Sequence, residues 1–316
     1  REPPAAALGP WRPPADPLQA EWLAVERCVA PEELRALRQL QICVEEQGLG
    51  EHPACAKAPH TRRAATLLRF LRARGGDVPK AVALLREAMD WRQQFEFDQK
   101  MEAWRAERED GNSRRVQVLR KYDYVTVLGA DLEGLPVYLH RFSQGDPSGL
   151  AREIGEEALL LRLLEGLEDC FEAAQERMLK TGNVLTSFVE VYDMGNYGFV
   201  PRWLPRGMAA MGPFRRFAPV FDKVYPERVR VAFILRTPPA FAFVWRLTLP
   251  MIPEATRGKI RLKGFQASSW LAEMEALLPK ATIPLFLRVD DLDEIYRAEP
   301  WGGIVPVGAA AKDAAE

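Results

Sequence analysis

The stretch from Tyr225 to Phe265 constrains this chain more than any other, because few folds can house it. It reads as a short apolar strand, Val229–Leu235, then Thr237-Pro238-Pro239, the apolar segment Ala240–Ile252, and a second alternating run after Pro253. Thr237 ahead of two prolines marks a helix start, since its hydroxyl can cap free amides and a proline ring fixes the first helical φ. The helix that follows carries Phe241, Phe243, Val244, Trp245, Leu247, Leu249 and Ile252, and is apolar on nearly all sides. Such a surface must be buried in protein, lie against a ligand or meet a membrane. It does not span a bilayer. Arg236, Arg246 and the prolines 238, 239 and 250 interrupt it, and each mid-bilayer arginine costs roughly 2.5–3.5 kcal/mol.

The remaining elements are read from periodicity and punctuation. Residues 1–20 form a Pro/Ala-rich arm, followed by short helices at Glu21–Val29 and Pro31–Glu46 and a loop at Gly48–Pro59. Residues 61–95 read as a helical hairpin: Thr61 caps Arg62–Arg74, Gly75-Gly76 stops it, and Asp77 with Pro79 starts the next helix. Arg62, Arg63, Arg69, Arg72 and Arg74 read mostly as a solvated face, with Arg74 alone placed to reach elsewhere. Lys100–Arg115 reads as a helix passing into a linker. Strands at Tyr124–Leu128 and Pro136–Arg141 join through Asp131-Leu132-Glu133-Gly134, with Val137 and Leu139 on one face and Tyr138 and His140 on the other. One long helix, Arg152–Lys180, precedes a strand Val184–Tyr192 ending at Asp193. A proline-broken helix 201–224, strand Val229–Leu235, the apolar helix, strand Ile260–Phe265 and helix Ser268–Leu277 complete the order. Strands alternating with helices imply βαβ crossovers and a largely parallel sheet. The expected organisation is an arm with short helices (1–60), a helical lobe (61–114), an α/β domain (115–291) and a tail (292–316).

Net charge is −1, so nothing draws the whole chain toward nucleic acid. Residues 200–265 differ, with thirteen basic residues against three acidic ones, a balance of +10 beside the apolar helix. That pairing suits an anionic membrane surface, and a solvated face balanced from elsewhere is the equal alternative. Four cysteines without C-x-x-C pairing or metal-like spacing fit a reducing compartment. The expected location is cytoplasmic and peripheral to a membrane. Because the first residue is Arg1 rather than Met, the sequence is read as processed, trimmed or partial, and an organelle stays open. No phosphate-binding loop, dinucleotide turn, nucleophile elbow or H-E-x-x-H helix occurs. Asp193 at a strand end and His140 on a strand are the two candidates for catalysis; capping and wall roles are favoured for them, and no enzyme is expected.

In order and spacing, four stretches resemble the CRAL-TRIO lipid-binding domain of phosphatidylinositol-transfer-like proteins. They are Leu67–Arg74 with Asp77-Val78 and Trp91-Arg92; Asp131–Tyr138; Tyr225-Pro226-Glu227-Arg228; and Thr256 with Lys259-Ile260. The resemblance implies a helical lobe beside a mixed, largely parallel sheet flanked by helices and enclosing an apolar lipid cavity. It makes the helix at Pro239–Ile252 a gate that swings on a membrane. Tyr138, Phe233, Phe241, Val244, Trp245, Leu249 and Ile252 become cavity and gate residues. It places Arg74, Glu227, Thr256 and Lys259 at a lipid headgroup, with the ammonium of Lys259 as a point charge for phosphate; for Lys259 and Glu227 an ordinary surface ion pair is the other reading. Three departures stand out. Gly75 replaces a lysine of the inositide binders, Phe188 and Glu190 replace hydroxyls that contact choline lipid, and Lys280–Phe286 intervenes after Leu278-Pro279 where the family continues with an acidic or aromatic residue and a Gly pair.

The implied function is a non-enzymatic carrier of one lipid, with a phosphatidylinositol-like headgroup favoured and no other cofactor. Its partners are a membrane surface and, through the Pro-rich arm, a protein. The alternatives are a scaffolding subunit that keeps the fold and a carrier of a neutral hydrophobic ligand.

Overall fold

A computed structural model describes residues 10–55, 62–142, 147–194, 212, 215–237, 241–252 and 254–290. The chain forms two compact units, each assembled from separated stretches. The first is Arg1–Ala106, Leu161–Ser187 and Phe217–Arg228; the second is Glu107–Leu160, Phe188–Arg216 and Val229–Glu316.

The first unit is helical. Its helices α1 (Pro17–Cys28), α2 (Pro31–Glu46), α3 (Ala64–Arg72) and α4 (Val78–Gln94) enclose a core that includes Leu37, Leu40, Leu67, Leu71, Leu85 and Met89. The α3–α4 turn follows the sequence signals. Gly75 and Gly76 adopt φ of +59° and +85°, and the Gly76 N–H closes on the Leu71 carbonyl at 3.0 Å, the bond that ends many helices. Asp77 then caps α4 by accepting the Lys80 N–H at 3.0 Å. The start of α3 differs from expectation. Thr61 lies outside the described residues, the helix begins at Ala64, and its cap comes from another element. The buried carboxylate of Glu21 on α1 accepts the Ala65 N–H at 2.8 Å and the Arg63 Nε at 3.4 Å.

Two breaks fall at glycines with left-handed backbone. Gly111 (φ +71°) separates α5 (Phe97–Asp110) from α6 (Arg114–Tyr122), so the charged stretch expected to become a linker is two helices. Its charges hide a buried pair at helical spacing, Met101 and Trp104, and Ser113 caps α6 through the Val116 N–H. Gly155 (φ +88°) divides the expected single helix into α7 (Pro147–Ile154) and α8 (Glu156–Thr181).

The second unit holds a five-stranded mixed sheet in the order β1-β2-β3-β4-β5, built from Val125–Ala130, Pro136–Arg141, Phe188–Asp193, Val229–Leu235 and Ile260–Leu262. The β1–β2 pair is antiparallel and the other pairs are parallel. The buried Asp131 carboxylate shapes the β1–β2 turn, accepting the N–H groups of Glu133 and Leu135 at 2.9 Å each and pairing with Arg230. Strand β3 is shorter than expected because Val184 belongs to the helical core. The expected helix Ser268–Leu277 is a 3-10 turn at Ala267–Ser269 followed by Leu271–Glu275.

Register sorts the sheet into two faces. Val137, Leu139, Val189, Val191, Phe233 and Leu235 pack against a C-terminal layer that includes Trp270, Met274 and Phe286. A buried latch fastens that layer: Arg236 pairs with Asp193 at 3.1 Å and donates to the Phe286 carbonyl, while Trp270 Nε1 donates to Leu287 at 3.0 Å. The opposite face carries Tyr138, Glu190 and Ala232 in one row and His140, Tyr192 and Ile234 in the next. Among the described residues no helix is long and apolar enough to cross a membrane.

Candidate functional site

The β4–β5 crossover is the segment whose chemistry departs furthest from ordinary packing. It starts at Thr237, whose hydroxyl donates to the Lys263 carbonyl at 2.9 Å. That bond extends the strand pairing to β5, and the start of the helix that Thr237 was expected to cap lies outside the described residues. Pro239 and Ala240 lie outside the described residues. The helix runs Phe241–Thr248, tightens into a 3-10 turn Leu249–Met251 at Pro250, and is followed by a helical turn Glu254–Arg257.

This crossover helix has two unlike apolar faces. Phe241 is buried and stacks near Trp245, with ring centroids 6.2 Å apart, whereas Phe243 and Leu247 are 58% and 36% exposed. Leu249 and Ile252 are half-buried, and the side chain of Val244 lies outside the described residues. Beyond the crossover Leu262 and Phe265 are exposed as well. Arg246 and Arg257 stand exposed on the same segment.

The strong positive balance of residues 200–265 is largely answered within the fold. Arg230 pairs with Asp131 and Glu133, Arg236 with Asp193, and Arg261 and Lys263 both reach Glu273 at 2.9 Å. The Lys263 hydrogen bond, then that of Arg261, holds the Glu273 carboxyl below its usual range. Arg216 and Lys223 pair with Glu156 and Glu87. Six of the eleven basic residues described in this stretch are therefore paired with carboxylates of the fold, which favours a face balanced from elsewhere for those six.

The residues expected at a headgroup divide between the units. Lys259 and Thr256 share one turn at the start of β5, where the Lys259 N–H meets the Thr256 carbonyl at 3.0 Å, and both are half-buried. Arg74 and Glu227 belong to the first unit. Arg74 is exposed and donates to the Ala73 carbonyl at 3.0 Å, and Glu227 is half-buried with φ +56°.

On the sheet face opposite the C-terminal layer, Tyr138 is buried in the same row as Glu190. His140 and Tyr192 stack at 4.5 Å with Phe142 beyond at 6.0 Å, and the Tyr192 hydroxyl donates to Glu190. Phe233 requires a correction. Expected in the cavity wall, it is fully buried on the other face in the Trp270 cluster. Its pairing with Val191 fixes that side, since alternate residues of a strand point to opposite faces.

The two catalytic candidates both sit on the sheet. Asp193 is buried against Arg236 and His140 is stacked on Tyr192. Among the described residues no cluster could hold a metal ion.

Sequence reasoning missed a polar site inside the first unit. Arg92 is buried between Asp98 at 2.7 Å and Glu168 at 2.8 Å, and the Tyr225 hydroxyl donates to the same Glu168 at 2.5 Å. Burial opposes the charge on Arg92, but Glu168 foremost among its neighbours outweighs it and the guanidinium is held above its ordinary value. Burial, then Glu168, raises the Tyr225 hydroxyl well above its own. Arg69, read as solvated, is buried with its guanidinium 3.7 Å from the Phe171 ring centroid. Its helix is buried at every position from Thr66 to Leu71; the closely spaced Leu67, Leu68, Phe70 and Leu71 around it were the available signal.

Comparison with known proteins gives a consistent result. Residues 120–287 match the model of the CRAL/TRIO domain and residues 37–87 that of the CRAL/TRIO N-terminal domain. A CRAL-TRIO domain-containing protein of Caenorhabditis elegans is 29% identical over 255 residues, covering 81% of this chain and 33% of its own length. Protein real-time of Aedes aegypti is 27% identical over 242 residues, covering 76% of this chain and 35% of its own. The chain thus spans about a third of the length of these relatives. The crystal structure of Sfh5 aligns with a TM-score of 0.48 at 14% identity, over 77% of this chain and 84% of that one.

Proposed function

The chain belongs to the CRAL/TRIO family of lipid-binding domains, and on that premise we propose that it is a non-enzymatic carrier of one phospholipid of the phosphatidylinositol class. The carrier docks peripherally on a cytoplasmic membrane surface, draws the lipid out past the crossover helix and shields its acyl chains from water. A shielded chain gains roughly 0.8 kcal/mol per buried methylene, so tight holding needs few polar contacts. The reading calls for no cofactor besides the lipid.

One observation carries it. The crossover helix buries Phe241 and Trp245 in part while leaving Phe243 and Leu247 to solvent, beside exposed Arg246 and Arg257. An apolar strip edged with cations gains at an anionic bilayer what it loses in water. Full burial of each large side chain is worth roughly 1.5–3 kcal/mol, and each basic residue near the surface adds about 1 kcal/mol. Lys259, with the Thr256 hydroxyl one turn before it, supplies a point charge and a donor suited to the lipid phosphate. Arg74 and Glu227 enter this reading through the family resemblance.

Transfer of phosphatidylinositol between vesicles tests the reading. Lys259→Ala should lower transfer at least tenfold with an unchanged melting temperature. Unchanged transfer removes Lys259 from the headgroup, and transfer of neutral lipids alone replaces the phospholipid reading with a carrier of apolar ligands.

A further inference from the structure

The first unit contains a cavity of about 40 Å³, walled by α3, α4, α8 and the segment around Tyr225. One water needs roughly 10–15 Å³ by that measure, so the space holds a group of a few heavy atoms. Its wall carries three guanidinium groups, Arg63, Arg69 and Arg92, and one carboxylate, Glu168. Two of the three are answered: Arg63 by Glu21, and Arg92 by Asp98 and Glu168.

Arg69 is not answered in the same way. It is 6% exposed, and its Nη1 has no acceptor among the described residues. The carboxylates nearest in charge are taken, Glu168 by Arg92 and Tyr225 and Glu21 by Arg63 and the Ala65 N–H. Contact with the Phe171 ring steadies the cation without supplying an acceptor. Burial, reinforced by the neighbouring charge of Arg63, pulls the guanidinium down to about 10. A buried charge lacking a hydrogen-bonded counterion is costly, and water in the cavity would satisfy its donors without neutralising it.

We propose that this cavity binds a compact oxyanion of phosphate chemistry, with the Arg69 guanidinium as its principal contact. Tetrahedral or planar oxygens match the two-pronged donor face of arginine better than single waters do. Its lining residues belong to the first unit, whereas the crossover helix and Lys259 belong to the second, and the proposal does not depend on the lipid reading. Inorganic phosphate and a lipid phosphate present the same oxygens, so the test uses both.

The full chain, exchanged into phosphate-free buffer, is melted with increasing inorganic phosphate at constant ionic strength, and separately with vesicles of phosphatidylinositol in phosphatidylcholine. Inorganic phosphate should raise the melting temperature by about 5 °C at a hundredfold excess over the dissociation constant, and Arg69→Met should abolish the rise. Lys259→Ala should keep it, which separates this site from the proposed lipid headgroup contact. Protection by vesicles alone, lost in Arg69→Met, assigns the same site to a lipid phosphate. Equal shifts in wild type and Arg69→Met, or no shift with either probe, overturn the proposal. Should Arg69→Met fail to fold, Gln175→Leu on the same wall must weaken the phosphate shift, and an unaltered shift is equally fatal.

Discussion

At the scale of single residues, the most consequential contacts link positions far apart in sequence. Glu21 is the clearest case. Its buried carboxylate caps α3 at Ala65 and holds Arg63, a bond across more than forty positions. Glu21→Ala leaves an amide and a guanidinium without their acceptor and should cost about 2–4 kcal/mol in denaturant unfolding; a loss under about 1 kcal/mol would assign the cap elsewhere. Tyr225 gives a pH prediction. Its native hydroxyl titrates well above the ordinary value of 10.0, so the unfolded chain releases that proton first as pH rises. The group's stabilising contribution is complete below pH 10 and drains away above it. Tyr225→Phe should therefore flatten the alkaline fall in stability by up to about 1.4 kcal/mol per pH unit, measured by urea unfolding from pH 9 upward, and an unchanged slope would refute the assignment. Local punctuation such as Asp77 and the Gly75-Gly76 pair was legible because cap and turn lie within a few residues of what they satisfy. Glu21 and Arg69 were not, because their environment is made by elements distant in the chain.

At the scale of elements, periodicity found the strands and the crossover helix, and it erred where a single backbone feature decides. Gly155 splits a run whose apolar spacing looks continuous, and its φ of +88° cannot be read from hydrophobic pattern. Phe233 alternates correctly along β4, yet which face meets the C-terminal layer depends on pairing with β3. The crossover helix yields a prediction at this scale. Changing Phe243 and Leu247 together to Ser touches exposed positions, so stability should move by no more than about 0.5 kcal/mol per site. Vesicle binding should fall at least tenfold. A variant that binds vesicles normally would take this helix out of the docking surface.

At the scale of the whole molecule, the alternation of strands and helices and the ordered sequence stretches gave the α/β class and the family. The division of the chain into two interleaved units was not legible, because contiguous segments of sequence contribute to both. The residues expected at a headgroup illustrate the consequence: Thr256 and Lys259 fall in one unit, Arg74 and Glu227 in the other. Much of the regional charge of +10 also proved internal once partners such as Glu273 and Asp131 were in place. The proposed function rests on the apolar crossover with its exposed cations and on the turn carrying Lys259. The claim that this fold carries one phospholipid is tested most directly by native mass spectrometry of the purified full chain. The account predicts one added mass per protein, matching a phospholipid of the inositol class. A bare protein mass after incubation with such vesicles, or an adduct of neutral apolar mass alone, would contradict it.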